Sequence, residues 1–279
     1  MTFASKANYA GPFDANGIPM LDYRGKLGCQ YNPIAVAQYG LGNFNLLSST
    51  GHHVRLNNLA RVADWLVSNL QSNPAGLHVW MHNFDWEYRE TLRAPWYSAL
   101  AQGQGISLLV RAFRETRNSV YMESARQAFA AFLVDVKSGG VAFRDEEHNW
   151  WCEEYIVFPP THILNGFIWA IWGIYDFWLA SADPIADSLF KAATATLRRK
   201  LIDFDAGYWS LYEQSGTLLP MIASSFYHSL HIVQLTVMYR LTGDELFAQI
   251  ADRWHGYQKS WLKKKLAFMH KVAFKLLYY

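Results

Sequence analysis

The chain has 279 residues, of which 51% are hydrophobic, and its formal net charge is +2. This length is sufficient for one large domain or two modest ones, and the sequence has no strongly basic stripe of the kind that binds nucleic acid. The aromatic content is high at 16%, which suits either a large aromatic core or a site that packs against sugar rings.

The first thirty residues are rich in Gly, Pro and Asn, and "DANG" at 14–17 predicts a turn between short extended pieces. We therefore expect an extended or β-hairpin segment over residues 1–30. No apolar signal-peptide core is visible, and the longest apolar run, near "ILNGFIWAIWGIYDFWLA", is interrupted by Asn165 and Asp176. The chain as written is expected to be cytoplasmic, or secretory if an export segment has been removed.

Four pairs of helices are predicted after Pro33. In "VRLNNLARVADWLVSNLQ" the apolar residues recur at i, i+3 and i+4, as in an amphipathic helix. The first helix of each pair is more apolar and contains Gly, whereas the second is more charged. These first helices start at intervals of about 65 residues, which is typical of stacked helical hairpins. Their expected starts are near Ile34, Ser98, Thr161 and Tyr227. We predict an all-α fold, an (α/α)4 toroid over residues 31–262.

Short strand-like stretches lie between the helix pairs. One predicted β-hairpin joins "GGVAFRD" to "NWWCEEYIV", and another lies in "AGYWSLYEQSGT". Loops at one end of a ring converge on the mouth of its cavity and often carry functional residues. Residues 263–279 form a basic, apolar C-terminal tail. The pattern favours a helix docked on the body, with a partner subunit or a membrane surface as alternatives.

The stretch from Asn149 to Phe167 combines residue types that suit neither a core nor a solvated loop. A core disfavours the Glu153–Glu154 pair, and a loop disfavours Trp150 and Trp151. On spacing alone the two glutamates are typical of a solvated turn. The mixture with aromatic residues instead favours one wall of a cleft for a polar, ring-shaped ligand.

Four segments, "YNPIAVAQYGLG", "PWYSALAQGQGISLLVRAF", "EEY…P…ILNGF…GIYD" and "YHSLHIVQL", occur in this order. Together they resemble the C-terminal catalytic domain of the D-glucuronyl C5-epimerase family, from about Tyr31 to about Trp261. The resemblance implies an (α/α)4 barrel that converts D-glucuronate to L-iduronate in a heparosan-like glycan. Its partner would be an anionic, uronate-containing polysaccharide rather than nucleic acid. It implies no redox cofactor, is compatible with a structural calcium ion, and implies a homodimer.

The resemblance also implies catalytic residues. It assigns acid and base roles to Tyr155 and Tyr227, with Tyr212 in reserve and Glu154 as a base or a support for a tyrosine. A phenol suits this chemistry if its surroundings lower its pKa from about 10. The family arginine three residues after the second tyrosine is replaced here by Ser215. Arg89, Arg93 and Arg144 are the candidates to replace it.

Further residues are predicted to line the substrate cleft, although each also suits a structural role. His228 and His231 share one helix face, and because no third ligand is apparent, a polar inner wall is favoured over a metal site. The expected substrate-binding residues are Gln102, Gln104, Trp150, Trp151, Arg93, Arg144, His148, Asn165, His228 and His231. Two alternative functions stay open, a uronate polysaccharide lyase and a non-catalytic glycan-binding module.

Overall fold

The computed structural model describes residues 3–278 and is mainly helical. Polar residues cap several helices, because Asn32, Ser98 and Ser224 accept hydrogen bonds from backbone N–H groups of the first turns of α1, α3 and α7. The helices are α1 (Pro33–Thr50), α2 (His53–Ser68), α3 (Ala99–Thr116), α4 (Ser119–Phe129), α5 (Leu164–Ser181), α6 (Pro184–Lys200), α7 (Ser225–Thr242), α8 (Glu245–Lys259) and α9 (Trp261–Tyr278).

The inner helices α1, α3, α5 and α7 pack on one another in chain order, and each outer helix packs on the inner helix that precedes it. The four inner helices also surround one cavity of about 340 Å³, to which Leu41, Gln104, Trp169 and Val237 each contribute. The predicted toroid of helical hairpins is therefore confirmed. The hairpins were predictable because the periodicity that specifies them is local.

Two glycines allow α3 and α5 to approach closely. A Cβ atom on Gly103 would lie 2.6 Å from the Trp169 carbonyl oxygen, and one on Gly173 would clash with the backbone of Gly103. Only a residue without a side chain fits such a contact. This crossing places the first turn of α3 against the middle of α5.

Short antiparallel hairpins lie in the segments outside the helices. Their strands, β1 to β8, pair as β1–β2, β3–β4, β5–β6 and β7–β8. The strands are β1 (Leu21–Asp22), β2 (Cys29–Gln30), β3 (Leu70–Ser72), β4 (His78–Trp80), β5 (Trp86–Glu87), β6 (Thr91–Leu92), β7 (Ala142–Arg144) and β8 (Trp150–Cys152). The expected hairpin β7–β8 is present, with Ala142 opposite Cys152. Residues 205–222 form isolated bridges, Asp205 with Ser210 and Leu211 with Ile222, instead of the second predicted hairpin. Strands β3 to β6 were not predicted from the sequence.

Both ends of the described chain contact the helical body. A 3-10 turn, Ala4–Asn8, packs on α1, and the Phe3 ring lies 5.1 Å from that of Trp169. At the other end α9 packs on α8 and reaches the 205–222 segment, where Lys271 Nζ donates to the Ile222 carbonyl at 3.1 Å. Within residues 3–278, no helix has the length and apolar character needed to cross a membrane.

Candidate active site

Four tyrosines meet at one end of the ring. Tyr88 lies in the β5–β6 turn, Tyr155 follows β8, Tyr212 lies in the 205–222 segment and Tyr227 is in the first turn of α7. The Tyr88 and Tyr155 ring centroids are 4.6 Å apart, and those of Tyr212 and Tyr227 are 4.9 Å apart. The fold thus brings the three predicted tyrosines into one cluster, and it adds Tyr88.

Glu154 is the carboxyl group that this cluster surrounds. Its side chain is buried, and Asn165 Nδ2 donates to Oε2 at 3.3 Å. A Cβ atom on Gly166 would clash with the same oxygen, so the glycine provides the space that the carboxyl occupies. Burial, assisted by the charge of Glu213, raises the pKa of Glu154 to about 8. The group therefore changes protonation state close to neutral pH.

The tyrosines are held in their neutral forms. Burial is the largest cause that raises the pKa of Tyr155, Tyr212 and Tyr227, and the charge of Glu154 adds to it in each case. This differs from the expectation that the site lowers a phenol pKa. The reason is that burial disfavours the phenolate, and the charged neighbour that the three phenols share is a carboxyl group rather than a cation. At neutral pH these phenols are hydrogen-bond donors and acids.

A second carboxyl group, Glu213, lies at the edge of the cluster. It accepts a hydrogen bond from the Tyr88 hydroxyl. Burial raises its pKa, while hydrogen bonds from Tyr88 and Ser215 and the charge of Arg89 act in the opposite direction. These residues line a cavity of about 230 Å³. Its walls are Tyr88, Arg89, Glu213, Ser215, Thr217, Met221, Phe274 and Tyr278.

Sequence reasoning did not identify Tyr88 and Glu213. Glu213 directly follows Tyr212 in "SLYEQSG", so its position beside a predicted tyrosine was an available signal. For Tyr88 the only such signal was its neighbour Arg89, which is one of the three arginines proposed to replace the family arginine. Of those three, Arg89 lies at the tyrosine cluster and lines the cavity with Ser215.

Trp150 and Trp151, from the stretch between Asn149 and Phe167, lie behind the cluster, in the core. Trp151 stacks on His162 with ring centroids 4.2 Å apart, and its Nε1 donates to Asp145 at 3.0 Å. Trp150 is also buried, and its backbone N–H donates to the Thr196 hydroxyl at 2.9 Å. Both therefore support the wall that carries Glu154 and Tyr155.

The two glutamines of α3 lie away from the tyrosine cluster. Gln102 bonds only backbone groups: its Oε1 accepts from Trp80 N–H at 3.0 Å, and its Nε2 donates to the carbonyls of His78 and Ala128. Gln104 instead lines the 340 Å³ cavity between the inner helices, and its buried carboxamide has no hydrogen-bond partner within residues 3–278.

The predicted histidines of α7 belong to a buried polar cluster. The His228 and His231 imidazoles both contact the Ser210 hydroxyl, at 2.8 and 3.0 Å, and the His228 ring stacks on Trp209. Burial lowers the pKa of His228 to about 4 and that of His231 to about 3, so both are neutral. No group of three or more His, Cys, Asp or Glu side chains within residues 3–278 is arranged to hold a metal ion.

The remaining predicted residues lie on the exterior. Arg93 forms an exposed ion pair with Asp85 at 2.6 Å. Arg144 is exposed on β7, and His148 is exposed in the β7–β8 turn with a φ of 61°. Among the residues expected to bind substrate, Asn165 is the one whose hydrogen bond reaches Glu154.

Comparisons with known proteins agree with this architecture. A sequence model of the family described as D-glucuronyl C5-epimerase C-terminus matches residues 75–256. A D-glucuronyl C5-epimerase of Caenorhabditis elegans is 33% identical over 213 residues, which cover 70% of this chain and 34% of that protein. An uncharacterised protein of Methanocaldococcus jannaschii is 31% identical over 179 residues, 63% of this chain and 56% of that protein.

The likeness extends to solved structures. The cellobiose 2-epimerase of Bacillus thermoamylovorans B4167 superposes with a TM-score of 0.64 and 15% identity, covering 92% of this chain and 73% of that chain. At this identity the match supports the fold alone. The chain spans about a third of the worm protein and about half of the archaeal one.

Proposed function

The chain belongs to the D-glucuronyl C5-epimerase C-terminal domain family, and we propose that it inverts C5 of glucuronate units in an anionic, heparosan-like polysaccharide. The observation that carries the proposal is the convergence of three neutral tyrosines on Glu154, whose pKa is about 8. This set of groups matches what inversion beside a carboxylate needs. One group removes a proton from C5, and another returns a proton to the opposite face.

Glu154 is proposed as the base. A general base works best when its pKa lies near the working pH, because it is then both deprotonated and basic. In the forward direction the C5–H bond breaks, its electron pair moves toward the substrate carboxylate, and the proton goes to Glu154. The negative charge that grows on the carboxylate oxygens needs nearby donors or cations.

Tyr155 and Tyr227 are proposed as the phenols that contact the sugar. Both side chains are partly exposed, whereas Tyr212 is buried. Glu154 follows β8 and Tyr227 lies in the first turn of α7, so the two residues come from different elements of the fold. We propose that the Tyr227 hydroxyl, which is hydrogen-bonded to Tyr212, delivers a proton to C5 on the face opposite Glu154. The new C5–H bond completes the inversion, and the proton on Glu154 replaces the one lost from the phenol.

Arg89 is proposed to bind the substrate carboxylate. It lines the cavity with Tyr88 and Ser215, and its side chain is exposed to an incoming ligand. A guanidinium binds a carboxylate through parallel N–H···O bonds. Ser215 occupies the position where the resemblance implies an arginine, so a cation from the β5–β6 turn supplies the charge that this position lacks.

The experiment that tests the proposal is proton NMR of heparosan and of its N-sulfated form, incubated with the protein in deuterated water. We expect the glucuronate H5 signal to disappear by exchange and iduronate signals to grow. Both changes follow from proton removal and return at C5.

Other outcomes of the same experiment contradict the epimerase assignment. Signals of an unsaturated uronate would identify a lyase, in which the C5 proton is removed and the C4 oxygen then leaves. Binding of either polymer with no exchange at C5 would favour a non-catalytic glycan-binding module. The N-sulfated and unmodified polymers, compared side by side, report which form of the glycan the site accepts.

A further inference from the structure

Helix α9 has three distinct faces. Successive residues turn by about 100° around a helix axis, so side chains at i, i+3, i+4 and i+7 share a face. One face packs on the body through buried Ala267 and Phe274, with His270 Nε2 contacting the Pro220 carbonyl at 2.7 Å. The opposite face points away from the body, and the edge between these two faces borders a groove that Trp209, Ala223 and Gln258 of the body also line.

The outward face of α9 is apolar. Leu262, Met269, Leu276 and Leu277 are 66–82% exposed, and Leu266 is 47% exposed. Together with exposed Ala273, these residues occupy an arc of about 100° around the helix axis. No charged residue of α9 lies within that arc. A contiguous exposed patch of large aliphatic side chains marks an interaction surface rather than ordinary solvent-facing surface.

The edge beside this outward face is cationic and aromatic. It carries Lys264, Lys265 and Lys275, together with Trp261 and Phe268, which are 62% and 71% exposed. The whole of α9 contains five lysines and neither Asp nor Glu. Lys263 and Lys271 bond backbone carbonyls of the body. The three edge lysines are exposed, and two of them, Lys264 and Lys275, also line the groove between α9 and the body.

We propose that the outward face of α9 docks on the surface of a bilayer that contains anionic phospholipid. A helix of this kind lies in the membrane interface, with Leu side chains in the acyl region, Trp and Phe at headgroup depth, and Lys against lipid phosphates. The charge pattern disfavours a second copy of the chain as the occupant, because pairing two α9 helices would bring ten lysines together without a single acidic residue on either helix.

The position of α9 links this docking to the cavity. Phe274 and Tyr278, on the body-facing side of α9, line the 230 Å³ cavity with Tyr88 and Glu213. A bilayer held by the outward face therefore lies about one helix diameter, roughly 10 Å, from that cavity. This consequence rests on the proposed function: the enzyme would then act on glycan chains close to a membrane surface.

The test is co-sedimentation of the full chain with vesicles, which requires no enzymatic activity. We expect the protein to sediment with phosphatidylcholine–phosphatidylserine vesicles at low salt, and much less with phosphatidylcholine alone or at high salt. Replacing Lys264, Lys265 and Lys275 by Gln should weaken binding at least about tenfold, because each lysine near an anionic surface contributes roughly a factor of five. Replacing Leu262, Leu266 and Met269 by Gln should weaken it similarly.

Matched variants make the test specific. The aliphatic control replaces Val54, Ile185 and Ile202, which are 54–58% exposed on the helical body, by Gln. The charge control replaces Lys26, Lys137 and Lys191. Both controls should sediment like wild type, and circular dichroism checks that every variant folds. The proposal is overturned if wild type does not bind anionic vesicles, or if the control sets reduce binding as much. It is also overturned if the α9 aliphatic variant instead converts a dimer to a monomer in size-exclusion chromatography.

Discussion

The Tyr88 hydroxyl donates a hydrogen bond to the Glu213 carboxylate although 125 positions separate the two residues in the chain. The bond joins the β5–β6 turn to the 205–222 segment, and it holds Arg89 beside Ser215 at the cavity. Two buried carboxyl groups, Glu154 and Glu213, consequently lie close enough for the charge of Glu213 to raise the pKa of Glu154. A site with this much negative potential needs a cation before it can accept a uronate.

Arg89 is the proposed cation, so Arg89→Ala should reduce kcat/KM for the polysaccharide by about 10- to 100-fold, the equivalent of a lost charge-assisted hydrogen bond. Steady-state kinetics at low salt measure the effect. Arg93→Ala is the matched control, because Arg93 is exposed and already paired with Asp85; it should change kcat/KM by less than about twofold. Equal losses in both variants would indicate general electrostatic attraction instead of a specific contact.

Removing single phenol hydroxyls should separate catalysis from folding. Tyr155→Phe and Tyr227→Phe keep the ring contacts with Tyr88 and Tyr212 but remove the proton donor. We expect kcat for C5 exchange to fall by about 10²- to 10⁴-fold, with little change in thermal stability. Tyr239→Phe on the same helix removes a hydroxyl that bonds exposed Glu245, and it should retain full activity. Full exchange activity in Tyr155→Phe would remove that residue from the mechanism.

The sequence predicted the helices better than it predicted the cavity wall. Helix pairs and their order follow from local periodicity and capping, and Tyr155, Tyr212 and Tyr227 follow from motifs. The Tyr88–Glu213 contact does not, because neither residue's local pattern refers to the other. Polar residues of the inner helices posed a similar problem. Nothing local distinguishes Gln102, which bonds backbone groups, from a glutamine that faces a ligand.

The raised pKa of Glu154 predicts a characteristic pH dependence. The ordinary carboxyl value is 4.5 and the folded value is about 8, so between these pH values the folded protein holds a proton that the unfolded chain has released. The contribution of Glu154 to stability is present below pH 4.5 and is lost as the pH rises to about 8. Glu154→Gln removes this loss, so it should exceed wild type in free energy of unfolding by a few kcal/mol at high pH, at about 1.4 kcal/mol per pKa unit.

Denaturant unfolding of both proteins across pH measures this difference. The two curves should converge in acid and diverge as the pH rises, because Gln resembles the protonated carboxyl. Activity should move in the opposite direction: wild-type kcat/KM rises with an apparent pKa of about 8 as the base deprotonates, and Glu154→Gln is inactive at every pH. A difference in stability that does not change with pH would contradict the assigned pKa.

Gly166 should be essential to the position of Glu154. In Gly166→Ala the new methyl group would clash with Glu154 Oε2 and displace the carboxyl, so we expect kcat to fall and stability to decrease by about 1–3 kcal/mol. Gly256→Ala on α8 is the matched control. A Cβ atom there meets nothing within 4 Å, so helix propensity should raise stability by about 0.5–1 kcal/mol with no effect on activity. Activity unchanged in Gly166→Ala would show that Glu154 need not occupy its observed position.

The same substitution should lower stability at Gln102 but not at Gln104. Methionine retains the side-chain volume but removes the carboxamide. Gln102→Met leaves Trp80 N–H and the carbonyls of His78 and Ala128 without their partner, which should cost about 2–5 kcal/mol, since each unsatisfied buried group costs about 1–3 kcal/mol. Gln104→Met removes a buried carboxamide without a hydrogen-bond partner in the described chain, so stability should be unchanged or higher.

Chemical denaturation of the two variants, together with their KM values, completes this comparison. Neither glutamine reaches the Tyr155–Tyr227 cluster, so KM for the polysaccharide should stay at the wild-type value in Gln104→Met and in the folded fraction of Gln102→Met. A raised KM with unchanged stability at Gln102 would mean that its carboxamide leaves the backbone to bind sugar. A stability loss at Gln104 as large as that at Gln102 would require a hydrogen-bond partner inside the ring cavity, such as a bound ligand or water, and would make that cavity a binding site.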